Sequence, residues 1–153
     1  MSEINLTKHL IGLTGEYFVA GMMSSKGWVA SLTLKNYPSV DIFGMNPETG
    51  ITVNIQVKTI KKGTNYPIGL THQTIQKAYE KITCPFVFVH IDKNDKISYF
   101  IISRADLIKI ILKSNDDYLK QTRQIPVKES NPVGIPIKYL QPFENKWDDI
   151  WKK

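Results

Sequence analysis

Ile51-Thr52-Val53-Asn54-Ile55-Gln56-Val57-Lys58 alternates apolar and polar residues without a fault, and that period of two commits the segment to a β-strand buried on one face. Side chains two apart on a strand point the same way, roughly 7 Å apart. Val53, Ile55 and Val57 are therefore expected in a core, with Thr52, Asn54, Gln56 and Lys58 on the opposite face. An amide and an amine then project side by side.

The segments before this strand supply two carboxylates. The spacing of Leu6, Leu10, Leu13, Tyr17 and Ala20 predicts a helix from Asn5 to about Lys26. Glu16 is not on its polar back: its helical neighbours Gly12, Leu13, Val19 and Ala20 are small or apolar, so its carboxylate should point at protein. A carboxylate held there needs a cation or a hydrogen-bond donor, and an edge-of-core glutamate paired with a lysine satisfies that as well as a metal site does. Trp28–Leu34 has strand composition, Asn36-Tyr37-Pro38-Ser39 is a turn-rich break, and Asp41 opens a second apolar segment, Val40-Asp41-Ile42-Phe43. Asn46-Pro47-Glu48-Thr49-Gly50 then closes a hairpin whose return strand brings Gln56 and Lys58 beside Asp41.

Glutamate on a first helix, aspartate on one strand and Q-x-K on its hairpin partner resemble the active-site layout of the PD-(D/E)XK nuclease superfamily. The matching order covers the chain to about residue 103. The resemblance implies an α/β restriction-endonuclease-like fold, a central mixed sheet flanked by helices with an αβββαβ core. It also implies a metal-dependent endonuclease hydrolysing DNA phosphodiester bonds, with Glu16, Asp41, Gln56 and Lys58 as the catalytic set. Asp41, Glu16, Gln56 and the main-chain carbonyl of Val57 would hold Mg²⁺ or Mn²⁺, and Lys58 would hold the attacking water and stabilise developing negative charge. Gln56 departs from the commoner Glu or Asp, although a subset that includes methylation-directed restriction nucleases carries Gln. An amide oxygen can coordinate a hard cation but adds no charge, so metal affinity should be lower. Gln76 and Tyr79 resemble the glutamine-tyrosine helix motif of some exonuclease members, with an interval one residue short, and read as DNA-contacting or packing residues.

Further along, Thr71 can cap a helix running through Gln73, Gln76 and Tyr79 to Ile82. Pro85–Ile91 and Ile97–Ile102 flank the turn Asp92-Lys93-Asn94-Asp95-Lys96 and are apolar enough for strands covered on both faces. Ser103-Arg104-Ala105-Asp106 has the form of a capping box opening a helix through Leu107, Ile110, Ile111 and Leu112. Residues 124–153 read as a Pro-punctuated extension of the single domain: Pro126, Pro132, Pro136 and Pro142 forbid regular helix. A final amphipathic turn carrying Phe143, Trp147, Ile150 and Trp151 is expected to dock back on the domain or to serve a dimer contact.

With 153 residues the chain can bury one sizeable core and has little room for a second domain. No apolar run is long enough for a membrane span, no secretory signal is evident, and the single Cys84 reads as a small buried residue suited to a reducing cytoplasm. His9, His72 and His90 lack metal-ligand spacing, and His90 reads as structural; neither a nucleophile elbow nor a phosphate-binding glycine loop occurs. The net charge of +6 favours a polyanionic partner. Only Arg104 and Arg123 supply guanidinium groups, so contact should run mainly to DNA backbone phosphates rather than to guanine edges. Lys61 and Lys62 follow the Q-x-K strand where a nucleic-acid backbone would approach, and read equally as a solvated basic loop. Two function classes fit these residues: a metal-dependent DNA nuclease, for which two symmetric sites suit a homodimer, and a non-catalytic nuclease-fold module binding nucleic acid or a protein partner in a defence or repair system.

Overall fold

The computed structural model describes residues 7–34, 38–121 and 128–150. Asn5, Leu6, Asn36, Tyr37, Arg123, Pro126 and Trp151, named above, lie outside them. The first helix, α1 (Lys8–Ser25), starts at Thr7, whose hydroxyl accepts the Leu10 N–H at 3.3 Å. It ends because Gly27 takes φ +86°: the Gly27 and Trp28 N–H groups return to the Ser24 and Met23 carbonyls, a Schellman closure that places Trp28 in the core with Met23.

Seven strands come after it: β1 (Val29–Leu32), β2 (Ile42–Met45), β3 (Thr52–Lys61), β4 (Asn65–Thr71), β5 (Phe86–Ile91), β6 (Ile97–Ile102) and β7 (Pro132–Pro136). Five form a mixed sheet in the order β1-β2-β3-β5-β6, with β3 and β5 parallel and the other pairs antiparallel. A helix, three antiparallel strands, a crossover and a parallel return strand are the core expected of a restriction-endonuclease-like fold. β5 is covered on both faces, as its apolar run requires. Val87, Val89 and Ile91 join Val19, Met23, Ile55 and Val57 on the α1 side. Phe86 and Phe88 join Phe100, Leu107 and Ile111 on the side of α3 (Arg104–Gln121).

The crossover differs from the helix predicted over residues 71–82. Thr71 does not cap a helix there; its N–H and hydroxyl bond the Thr74 hydroxyl, at 2.9 and 3.1 Å. Beyond this turn the chain makes a 3₁₀ turn over Ile75–Lys77 and one helical turn, α2 (Ala78–Lys81). The preceding residues form β4, which pairs with β7 in a two-stranded antiparallel sheet. Pro67, Pro132 and Pro136 are tolerated because neither strand has a second neighbour demanding its N–H.

At α3 the Ser103 hydroxyl accepts the Asp106 N–H at 3.2 Å and donates to the Asp106 carboxylate at 3.0 Å. The shorter Asp thus closes the box on the hydroxyl rather than on the Ser103 backbone. Past β7, Phe143 packs with the α3-side core whereas Trp147 and Ile150 enter the α1-side core. The expected amphipathic turn or two is formed as separate 3₁₀ turns at Gln141–Phe143 and Trp147–Ile150, parted by Asn145 at φ +56°.

Candidate functional site

The β2–β3 hairpin sets the site's register. Asn46 organises the turn, its side-chain oxygen accepting the N–H groups of Glu48 and Thr49 at 2.9 and 3.1 Å, and Gly50 takes φ +70°. Ile42 then stands opposite Ile55, and Phe43 opposite Asn54. Ile55 and Val57 are buried on the α1 side, so alternation puts Asn54, Gln56 and Lys58 on the other face. Gln56 and Lys58 are half-buried; Thr52 and Asn54 are exposed.

Asp41 stands immediately before β2, where regular pairing stops. Its N–H donates to the Ile55 carbonyl at 2.9 Å, and its carboxylate Oδ2 accepts the Val57 N–H at 2.7 Å. The side chain therefore stands in for the carbonyl that a longer β2 would have offered. Because Gln56 donates its N–H to Pro85 O on the β5 side at 3.1 Å, both polar groups of Val57 face the β2 side. The Val57 carbonyl thus opens on the gap that Asp41 borders. Burial raises the Asp41 carboxyl above its usual range, opposed by the Val57 N–H and the positive charge of Lys58.

Glu16 comes from α1, on the opposite side of the sheet, and is half-buried beside the buried Val19 and Ala20. Its neighbour Gly15 lies directly against Thr59, the residue after Lys58. Among the described residues no three His, Cys, Asp or Glu side chains gather as a metal cage. Lys61 is paired with Asp95 of the β5–β6 turn at 3.0 Å. Lys62 is exposed at φ +62° and donates its N–H to Ile91 O at 2.9 Å. Gln76 and Tyr79 are both exposed, on the 3₁₀ turn and on α2. Arg104 is committed to structure, donating to the carbonyls of Ile82 and Tyr79 at 2.6 Å each. His90 bonds the Gly63 carbonyl at 3.0 Å.

Two neighbours of the site were not assigned to it from the sequence, although Cys84 is buried as expected. Cys84 precedes β5 and touches Ser39 O through its thiol at 3.5 Å. Burial pushes that thiol up to about 11, with the Gln56 N–H opposing and the Asp41 charge adding to the rise, so it is protonated near neutral pH. Phe43 projects from the uncovered side of β2 at 44% exposure. The signal for Phe43 was present in the sequence, since it stands two residues from Asp41 in an alternating strand.

No protein-family model matches the chain, and no curated protein matches it significantly. Among solved structures it is similar to a bacterial homing endonuclease, I-Ssp6803I, at 16% identity and a TM-score of 0.46 over 67% of this chain and 69% of that one. It is also similar to Hjc of Archaeoglobus fulgidus, a Holliday junction resolvase, at 12% identity and a TM-score of 0.43 over 86% of this chain and 93% of that one.

Proposed function

We propose that the chain is a metal-dependent endonuclease that hydrolyses DNA phosphodiester bonds at the gap beside Asp41, just before β2 begins. The observation that carries this reading is the Asp41 carboxylate, fixed at 2.7 Å by the Val57 N–H beside the strand that carries Gln56 and Lys58. A hard divalent cation takes oxygen donors and keeps much of its water. The unengaged Asp41 oxygen, the Val57 carbonyl and the Gln56 amide oxygen are donors of that type, so the residues fit Mg²⁺ or Mn²⁺ held weakly. When bound, such a cation would supply phosphate-charge neutralisation and a lowered water pKa. Lys58 orients the attacking water and meets the charge that develops on the phosphate, while Val57 holds Asp41 in one rotamer. Glu16 lies on the α1 side of the sheet, across from Gln56 and Lys58, and would take part only through the cation's own water.

A second reading, a non-catalytic module binding nucleic acid or a protein partner, is favoured by one feature. Gln56 adds no charge to a site whose metal-binding carboxylates come only from Asp41 and Glu16. Plasmid nicking separates the two readings. Cleavage should require Mg²⁺ or Mn²⁺ and stop with EDTA. Asp41→Asn, which keeps an acceptor for the Val57 N–H, and Lys58→Ala should each lower it by at least about 10²-fold with the fold intact by thermal melting. Cleavage that survives EDTA, or both substitutions, would sink the catalytic reading.

A further inference from the structure

We infer that the uncovered sheet face beside Asp41 stacks an unpaired base on Phe43, which makes single-stranded or locally melted DNA the substrate class; the inference rests on the nuclease reading above. α1 packs against one side of β1, β2 and β3, and the α3-side core lies against β5 and β6. The α3-side core reaches β3 at Ile60, so the uncovered part of the other side is that of β1, β2 and the first residues of β3. The register lays out that face row by row: Val29, Met45 and Thr52; then Ser31, Phe43 and Asn54; then Gln56, with Lys58 beyond it.

Phe43 is 44% exposed and Val29 54%, with Ser31, Thr52 and Asn54 exposed around them. A side chain this apolar gains little by facing water, whereas an aromatic ring among hydrogen-bonding neighbours is what a base requires, since every base has a π-face. Among the described residues of these rows Asp41 and Lys58 are the charged side chains and balance one another, so the attraction for a phosphate backbone comes from the net charge of +6 on the whole chain. Phe43 lies two residues along the strand from Asp41, about 7 Å. A phosphate held at the Asp41–Lys58 gap would bring the base of an adjoining nucleotide over the ring. In a duplex both faces of that base are already stacked, so the contact selects an unpaired nucleotide.

The test uses the full chain in EDTA and compares a labelled single-stranded oligonucleotide with a blunt duplex of the same sequence by fluorescence anisotropy. Wild type should prefer the single strand. Phe43→Ala should weaken single-strand binding about tenfold or more, the loss of one stacked base, and leave duplex binding unchanged. Phe43→Trp should keep the affinity and add, above the emission of the three native tryptophans that wild type shows, a component that bound DNA quenches. Unchanged single-strand binding by Phe43→Ala, an unquenched Phe43→Trp, or a Phe43→Ala effect confined to self-association in sedimentation would each overturn the inference. If wild type still nicks plasmid in those cases, the nuclease reading stands while the stacking role fails. If wild type neither binds nor cuts DNA, both fail together.

Discussion

Gly15→Ala isolates the contact that seats α1 on the sheet. A Cβ at Gly15 would overlap the Thr59 hydroxyl and lie 2.9 and 3.0 Å from the Thr59 Cβ and Cγ2. Rotating the threonine cannot relieve a clash with its own Cβ, so helix or strand must shift. Overpacking of this kind costs about 1–3 kcal/mol, against which alanine gains about 1 kcal/mol of helix propensity over glycine. The net expectation is a loss of about 1–2 kcal/mol, taking the upper part of the overpacking range because backbone-linked atoms collide. With an m-value of about 1–3 kcal/mol/M, the urea midpoint should fall by roughly 0.5–1 M at unchanged m. Gly21, on the same helix, has nothing within 4 Å of its missing Cβ. Gly21→Ala should therefore raise stability by about 0.5–1 kcal/mol. Thr59→Ala, which also removes a buried hydroxyl without a partner, should restore part of the Gly15→Ala loss with a coupling energy of about 1 kcal/mol. If Gly15→Ala stabilises as Gly21→Ala does, α1 is not seated on Thr59, and the placement of Glu16 goes with it.

The site's electrostatics dictate two further outcomes. Burial raises the Asp41 carboxyl in the folded state, so its contribution to stability is fully present below the ordinary carboxylate range and is lost as pH rises through the raised value. Asp41→Asn, permanently neutral and still able to accept the Val57 N–H, should melt above wild type at pH 7. That gap should close as the pH approaches 3; a gap that widens on acidification would refute the argument. Gln56→Glu adds negative charge beside Asp41 and should tighten Mn²⁺ binding by calorimetry while lowering cleavage or shifting its metal preference. Appearance of cleavage in Gln56→Glu alone, from an inactive wild type, would instead identify a site that has lost its charge.

The part of the molecule legible in the sequence was the part with local periodicity. The alternation of Ile51–Lys58 gave the faces of β3 correctly, and the hairpin turn at Asn46–Gly50 gave its register with β2. Glu16, with small and apolar helical neighbours, does sit at the margin of the core. The hidden part was long-range. Tyr66, Ile68 and Leu70 alternate as a strand should and are buried, but Pro67 and Gly69 between them carry turn signals, and the partner that makes this tolerable is β7, beyond α3. The role of the Val57 N–H was equally unreadable. Nothing local says that β2 stops one residue too soon to satisfy it and that Asp41 completes the ladder.

The pairing of β4 with β7 also bears on the order in which the chain assembles. β1, β2 and β3 pair with their nearest neighbours in sequence, and α1 precedes them directly, so Asp41, Val57 and Lys58 can meet through short loops alone. β3 meets β5 only through a crossover that contains β4, and β4 has no strand partner until α3 and β7 have been made. Contacts closed over long stretches form slowly. On that ground the gap beside Asp41 should form before the small β4–β7 sheet, a sequence that hydrogen-exchange pulse labelling during refolding would check.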